Sequence, residues 1–418
     1  MACLLTVIAP IRQGQADEVD RILTEIGRDV GSNPYIRLGD ISSLHFLSCA
    51  ILANDPAYPP ALALESTFDG DVEAHLDELV ASGRRALDAL YGRCEGYLPE
   101  GARSAAAVKQ YLRDHAVPSA IFYVALPEQT VGSIRNAVAV REEAERFLDA
   151  EQANGALRGL SAVQIYERLQ RHLSEDSPVR PQVSVRTQDQ LRVISRRNAA
   201  LIALVVLPLA ILFLPLLAVF MLALRWHEIR EQACPAPPPP PSDPRLYLND
   251  AVNIQNHLTT LVTIKPGRFR RWTLRAILWA SNFLARTVLL NGDIAGIPTI
   301  HCVRWIVLDG GKRLLFFSHY DGSWQSYLGD FSDRASWTLT AIYSNTENFP
   351  PSRWLLWGGA SDIQAFKSWT HRYNVYTPVS YSAYPQEAIG NLQKEIRFRD
   401  AVGRLLDTDQ AERLLQLL

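Results

Sequence analysis

The two halves of this chain repeat one pattern on either side of a long apolar segment. Residues 64–99 and 315–351 share identities at one constant offset, and the matched pairs are Ser66/Ser318, Asp69/Asp321, Gly70/Gly322, Leu76/Leu328, Tyr91/Tyr343, Glu95/Glu347 and Pro99/Pro351. Weaker matches in the same order extend the similarity upstream and downstream. Because chance similarity does not keep its order over such a length, the pattern predicts an internal duplication.

Within each half, hydrophobic periodicity predicts the element order β-α-β-β-α-(α)-β-α. Residues 4–11 alternate as a strand does, whereas Val19, Ile22 and Ile26 share one face of a helix. This order is the split βαβ, or ferredoxin-like, pattern. We therefore predict an α+β fold in which two ferredoxin-like repeats pack as a single-chain α/β barrel, with an inserted membrane helix or re-entrant segment.

The duplication and the segment between its copies predict five regions. These are repeat one at 1–150, a helical and polar linker at 151–198, a membrane segment at 199–226, a Pro-rich linker at 227–250, and repeat two at 251–418 with an interfacial helix at 269–290. The Pro-rich linker contains a run of five prolines, which suits either a stiff spacer or a disordered tether.

The apolar segment is long enough for a membrane helix. Residues 199–224 contain no charged side chain, and about 18 such residues suffice to mark a membrane helix. Arg197 and Arg225 flank the run, as interfacial anchors do. Pro208 and Pro215 lie inside it, and each removes an intrahelical hydrogen bond. We therefore expect a kinked membrane segment.

The membrane topology has two alternatives. Arginines are more frequent before the segment than after it, so a simple span would place the two repeats on opposite sides. Because the repeats should pack together, we favour a kinked, re-entrant or membrane-lying segment that returns the chain to the same side. The alternative is a straight span with pairing between molecules. Either arrangement predicts membrane lipids as partners, and the favoured one predicts a location at the cytoplasmic face of a bacterial inner membrane.

The predicted helix at 269–290 gives a second membrane signal. A narrow polar stripe and bulky aromatic residues lie on different faces of this helix. The stripe is Arg271, Arg275, Asn282 and Arg286. The aromatic residues are Trp272, Trp279 and Phe283. This composition favours a helix lying in the interface of an anionic membrane. The alternative is a helix buried against the sheet or against a subunit of a homo-oligomer.

Composition argues against several classes of protein. A net charge of −2 and the lack of a basic, aromatic platform argue against nucleic-acid binding. The five cysteines are odd in number and unmatched between the repeats, which favours a reducing compartment over a disulfide framework. No CxxC or HExxH spacing occurs, so we do not expect a structural zinc site, and the identity of any other metal is open.

Polar residues present in both copies are the best candidates for chemistry. His45 and His301 suit a general base, a proton shuttle or a metal or haem ligand, or else a strand-end histidine bonded to a carbonyl. Asp69 and Asp321 precede glycines and suit either a helix N-cap and turn or a distal carboxylate in a cavity. The predicted catalytic residues are His301, Arg304, Asp321 and Glu347, and the predicted cofactor-binding residues are His319, His45 and Asp69.

A family resemblance rests on the two Asp-Gly motifs. Phe68-Asp69-Gly70 and Tyr320-Asp321-Gly322 resemble the motif over the haem of dye-decolorising peroxidases, which belong to the dimeric α/β-barrel superfamily. The leading glycine of that motif is replaced by Ser66 or Ser318, and no motif assigns a proximal histidine. The pattern also resembles bacterial membrane-attached proteins from which no activity carries over. The peroxidase resemblance implies haem as the cofactor.

Two functions follow as expectations. The first is a membrane-attached oxidoreductase of peroxidase type, haem-dependent and acting on a lipophilic small molecule. In this hypothesis His301 or His319 ligates the haem, with Asp321 and Arg304 as the acid/base and charge-stabilising pair. The alternative is a non-catalytic membrane module that binds a lipid in a mainly apolar cavity or organises protein partners.

Overall fold

The computed structural model describes residues 2–53, 55–233, 243–247, 250, 252–290, 294, 296–402 and 408–415. The strands are β1 (Ala2–Pro10), β2 (Leu44–Leu52), β3 (Ala61–Asp69), β4 (Ile121–Val124), β5 (Gln255–Thr263), β6 (Ile300–Leu308), β7 (Arg313–Asp321), β8 (Ser352–Arg353), β9 (Trp357–Gly358) and β10 (Val379–Ser382). The α-helices are α1 (Ala16–Arg28), α2 (Val72–Tyr91), α3 (Ala105–Asp114), α4 (Val131–Ala153), α5 (Ala162–Arg171), α6 (Gln188–Leu212), α7 (Leu214–Ala233), α8 (Arg268–Thr287), α9 (Trp324–Arg334), α10 (Ser336–Tyr343), α11 (Ile363–Tyr373), α12 (Ile389–Val402) and α13 (Thr408–Leu415). The predicted α+β class is confirmed.

Two four-stranded antiparallel sheets form the centre of the fold, in the orders β1-β3-β2-β10 and β5-β7-β6-β4. Each sheet takes its fourth strand from the other half of the chain. Thus Val379 of β10 pairs with Cys49 of β2, and Ile121 of β4 pairs with Trp305 of β6. The predicted boundary near residue 150 therefore does not separate two structural units.

The predicted single-chain barrel is wrong, because the described strands form two sheets and not one closed ring. Isolated bridges, Val7 to Ala116 and Thr260 to Asn374, extend the outer edges of β1 and β5. Beyond each bridge the chain leaves that sheet and enters the other one, as β4 or β10. The ladders of backbone hydrogen bonds therefore end where the chain passes from one sheet to the other, and the strands do not close into a barrel.

The sheets pack face to face with helices on their outer sides, and strand alternation decides which residues face inward. On β3, Leu62 and Leu64 pack outward with the core of the first sheet, whereas Ala63 packs inward with Leu315 and Ile306. This apolar contact fills one end of the space between the sheets. Polar side chains fill the adjoining part.

Helices α6 and α7 form one long, slightly bent rod, here called the rod. Hydrogen bonds continue through the bend, from Phe213 N to Leu209 O at 2.9 Å and from Leu217 N to Phe213 O at 3.0 Å. Among the described helices, only α6 is long and apolar enough to cross a membrane. The five-proline run that follows the rod in the sequence lies outside the described residues.

Both ends of the rod pack against the same body. Near its start, Asn198 Nδ2 donates to the Thr287 carbonyl at the end of α8, at 2.8 Å. Near its end, Glu231 pairs with Arg270 at the start of α8, at 2.6 Å, and Glu228 is buried against the loop after β8. The rod therefore runs antiparallel to α8 and contacts it at both ends.

Helix α8 has a buried inner face and an exposed outer face. Leu274 and Leu278 are buried against the second sheet, whereas Trp272, Trp279 and Phe283 are exposed. The aromatic residues of this helix thus lie on its outer face, on the same side of the body as the rod.

We predict that Gly27→Ala destabilises the fold by about 1–3 kcal/mol. Gly27 lies in the last turn of α1, where a Cβ would overlap the carbonyl of Pro378, the residue before β10. The clash opposes the roughly 0.5–1 kcal/mol that alanine adds in a helix. Gly329→Ala in α9 is the matched control, because nothing lies within 4 Å of its Cβ position. Equal melting temperatures for the two variants would show that α1 does not pack so closely on the exchanged strand.

Candidate functional site

A buried polar cluster lies between the sheets, here called the inter-sheet cluster. It comprises Ser48, Glu65, His257, Arg304 and His319. Each residue comes from a different strand, and paired registers place all of them on the inner faces. Ser48 opposes Glu65 in the first sheet, and His257 opposes His319 in the second.

Glu65 is the centre of the cluster. His319 Nε2 donates to Glu65 Oε1 at 2.7 Å, and Ser48 Oγ donates to the same oxygen at 2.9 Å. The Arg304 Nε lies 2.9 Å from Glu65 Oε2, and both side chains are only 1% exposed. One carboxylate thus connects the first sheet to two strands of the second.

Arg304 extends this connection through its remaining nitrogens. Its Nη1 donates to the Leu5 carbonyl at 3.1 Å, and both Nη atoms donate to the Ser66 carbonyl at 3.2 Å. A buried guanidinium needs such partners because water cannot solvate it. The charge of Arg304 is therefore balanced by Glu65 and distributed over backbone carbonyls of the first sheet.

Electrostatics fix the protonation states of the cluster. Burial alone would raise the pKa of Glu65, but the charge of Arg304 and the contact with His319 outweigh it and hold the pKa well below its usual range. Burial lowers the pKa of His257 and of His319 below 6.5. At neutral pH the cluster therefore contains an ionised carboxylate and two neutral imidazoles.

Three of these side chains have the arrangement of metal ligands. One ligand atom each from Glu65, His257 and His319 lies within 4.8 Å of the other two. His257 Nε2 lies 2.9 Å from Thr259 Oγ1, whereas His257 Nδ1 has no hydrogen-bond partner among the described residues. That free nitrogen is 3.9 Å from Glu65 Oε1 on a side chain only 3% exposed. Two imidazoles and a carboxylate suit a first-row transition metal.

A cavity of about 910 Å³ leads to the cluster, and His257 and His319 form part of its wall. The remaining wall is largely polar and includes Asp250, Gln255, Asn256, Asn374, Ser380 and Gln386. The mainly apolar cavity expected for a lipid-binding module is therefore not the one that reaches these histidines.

The structure brings together two of the predicted site residues, Arg304 and His319. It adds Glu65 and His257, which the sequence analysis missed. Glu65 had a signal, because it is the single charged residue in the apolar strand at 61–69 before its final Asp69. His257 had none, since its neighbour His319 is 62 positions away and only the β5–β7 register joins them.

The other predicted histidines and aspartates form two matched clamps. His45 Nε2 lies 3.1 Å from Asp69 Oδ1, and Asp69 Oδ2 accepts from Val131 N at the start of α4, at 2.8 Å. Likewise, His301 Nε2 donates to Asp321 Oδ1 at 2.6 Å, and Asp321 Oδ2 accepts from the first N–H of α12 at 2.7 Å. Each clamp ties a strand of one sheet to the helix after the exchanged strand of the other.

These contacts refine the predicted N-cap role of the aspartates. The following helices α2 and α9 are capped by Asp71 and Ser323, whereas Asp69 and Asp321 bind helices remote in sequence. Gly70 provides the expected turn, with φ of +89°. The predicted distal-carboxylate role has no support from these contacts, since both aspartates are engaged by helix N-termini.

The remaining predictions lie outside the inter-sheet cluster. Glu347 belongs to the loop after α10, where its N–H donates to the Thr263 carbonyl; burial, with the charge of Asp55 as a second cause, raises its pKa. The Phe46 ring packs on both His319 and His301, at 4.7 and 5.5 Å between centroids. His301 is thus a neighbour of the cluster and not a member.

No protein-family model, no curated protein and no solved structure matches this chain. Function belongs to sites and not to folds, so the chemistry of the inter-sheet cluster and its cavity is the basis for a functional assignment.

We predict that Asp321→Asn lowers stability by about 1.5–3 kcal/mol, the usual contribution of a hydrogen bond to a charged group. The substitution removes the charge shared by His301 and the α12 N-terminus. Thermal melting would measure the effect, with Asp333→Asn on the exposed side of α9 as the control. A variant that melts with the wild type would show that the clamp contributes nothing.

Proposed function

We propose that this protein is a metal-dependent oxidoreductase of the non-haem type, in which Glu65, His257 and His319 hold a divalent transition metal. The supporting observation is the convergence of three ligand atoms within 4.8 Å of one another. Two histidines and one carboxylate with open positions are the ligand set of non-haem iron oxygenases. This proposal keeps the predicted oxidoreductase class and replaces haem.

The residues present fit such an ion. In the tautomer that donates its Nε2–H to Thr259, neutral His257 has a lone pair on Nδ1, which lies 3.9 Å from Glu65. A ligand histidine commonly donates its other N–H to a second group in this way. His319 must shift its Nε2 proton to Nδ1 before it binds through Nε2, because that proton now bonds Glu65. A bound metal would supply Lewis-acid or redox chemistry at this point.

The haem hypothesis has weaker support. Its two candidate ligands use their Nε2 atoms for Asp321 and Glu65, and His301 is not part of the wall of the 910 Å³ cavity. Haem ligation would therefore break an interaction at either histidine and offers no replacement partner for the released carboxylate.

The charge of the cluster also indicates a substrate class. Arg304 already neutralises Glu65, so a dication would bring two uncompensated positive charges into a buried site. An anionic group arriving through the cavity would offset them. Because the cavity wall is polar, we propose a polar substrate with an anionic end in place of a lipophilic one.

The arrangement of strands supports the predicted duplication of a ferredoxin-like unit. We infer that the halves are copies of one ferredoxin-like unit that have exchanged their last strands. His45 and His301 both sit at a register shift in equivalent strands, and the two sheets have the same order. The exchange is reciprocal, because each sheet takes its last strand from the other copy. This is expected if the last strand of each copy once paired within that copy.

A second candidate is a non-catalytic membrane module, and one specific feature favours it. Residues 203–219 of the rod are exposed and apolar, which suits membrane attachment without requiring chemistry. In this case the inter-sheet cluster would be a structural connection between the sheets. Metal binding separates the two candidates.

We predict that purified, metal-stripped protein binds one equivalent of Co²⁺ through the inter-sheet cluster. Calorimetry and the visible absorption of Co²⁺ would measure it, and Glu65→Gln and His257→Ala would each weaken binding on the order of 100-fold. His172→Ala is the control, because His172 pairs with Glu143 outside the cluster. Folded wild-type protein that binds no Co²⁺ would contradict the proposal. Oxygen uptake by Fe²⁺-loaded protein that continues over many turnovers with ascorbate as the electron donor, and that is lost in His257→Ala, would establish the oxidoreductase class.

We predict that metal affinity stays nearly constant from about pH 8 to pH 6. Burial lowers the pKa of His257 and His319, so both imidazoles remain neutral ligands below 6.5. Exposed histidines, in contrast, are already half protonated at pH 6.5. Co²⁺ titrations at pH 5.5, 6.5 and 7.5 would test this. A loss of affinity of about 100-fold between pH 7.5 and 5.5, as two unshifted histidines would give, would mean that the two imidazoles are not protected.

A further inference from the structure

We propose that the rod and α8 insert side by side into one leaflet of an anionic bilayer, with the rod lying along the membrane plane. Both halves of the protein then lie on the same face. This arrangement is independent of the metal site, and it replaces a transmembrane span by an in-plane anchor.

The first argument is the exposure of the rod. All 17 residues from 203 to 219 are exposed, and large apolar side chains occur on every side of the helix, as the consecutive residues Leu204, Val205, Val206 and Leu207 show. A helix that is apolar all round is normally surrounded by protein or lipid. Because the body does not cover this segment, lipid is the occupant that matches its chemistry.

The second argument is that the rod is fastened at both ends. Asn198 bonds Thr287 at one end of α8, and Phe220 packs on Phe269 at the other, with ring centroids 5.6 Å apart. At 1.5 Å per residue, the rod covers about 33 Å between these contacts and α8 about 27 Å. The rod therefore contacts α8 near both ends, and residues 203–219 between these contacts are exposed.

The third argument is the charge of α8. Arg275 is exposed near the middle of α8, level with the middle of the rod. If the rod crossed the bilayer, this guanidinium would lie near the centre of the hydrocarbon, where a charged side chain is strongly disfavoured. An in-plane rod instead leaves α8 at the level of the lipid headgroups.

The expected depth follows from helix packing. Packed helices lie about 8–10 Å apart, so where the rod contacts a headgroup-level α8 it lies within the roughly 15 Å of one leaflet. Trp272, Trp279 and Phe283 on the exposed face of α8 then occupy the interface, which aromatic side chains favour.

The basic residues around the apolar surface complete the match. Arg196 and Arg197 are exposed at the start of the rod, and Arg268, Arg275 and Arg286 are exposed on α8. Arginines near an anionic membrane surface are attracted to it. The charge complementarity therefore favours a leaflet that contains anionic lipid.

The decisive experiment measures nitroxide depth along the rod in full-length protein. Single cysteines at 203, 207, 211, 216 and 219 are spin-labelled in a Cys3→Ala, Cys234→Ala background and reconstituted into phosphatidylcholine–phosphatidylglycerol vesicles. Cys49, Cys94 and Cys302 are buried and resist labelling. We expect all five labels within about 15 Å of one headgroup layer, at depths that follow the face of the helix and show no steady trend along it. A depth that changes steadily by about 24 Å from 203 to 219 would establish a span and overturn the proposal.

Vesicle flotation provides the matched test of attachment. Leu207→Glu with Ile211→Glu should weaken binding to anionic vesicles at least tenfold, whereas Val72→Glu, at an exposed apolar residue of α2, should not. Melting temperatures confirm that both variants fold. Binding of the rod variant at wild-type strength would overturn the proposal. If wild-type protein bound neutral and anionic vesicles equally well, the proposed attraction of the arginines to anionic lipid would be wrong.

Discussion

The ion pair between Glu65 and Arg304 is the interaction on which the centre of this protein depends. It places two opposite charges between two sheets, where neither is hydrated, and Arg304 reaches backbone carbonyls of the opposite sheet. Removing one partner of such a pair typically costs about 3–5 kcal/mol, because the other charge is left buried and alone. The same pair holds the carboxylate ionised and oriented beside two histidines. Structural and chemical roles thus coincide at Glu65.

Strand exchange explains why the polar centre is shared by both halves. Each sheet is completed by a strand from the other half, and the Asp69 and Asp321 clamps fix the helices that follow those strands. The inner faces are therefore held in one relative position by covalent crossings as well as by packing. The proposed ligand set from β3, β5 and β7 would require this rigidity, since its members belong to different sheets.

Local sequence predicted much of the fold but only part of the site. Periodicity indicated the strands and the outward face of α8, and the unbroken apolar run indicated the rod, since these signals are local in the sequence. Periodicity could not predict the strand exchange, because Val379 and Cys49 pair although they are far apart in the sequence. For the same reason Asp321 was matched with the next helix and not with α12. His319 and Arg304 were found, whereas His257 depended on a register that periodicity does not encode.

Exchange of the last strands also has a consequence for biosynthesis. The first sheet lacks its edge partner for β2 until residues 379–382 leave the ribosome, long after the apolar rod has been translated. Contacts so distant in sequence form slowly, because a large loop must close first. If the rod binds lipid as proposed, it can do so while the first half is still unfinished. On this view the membrane would act as the template against which the two halves of the nascent chain meet.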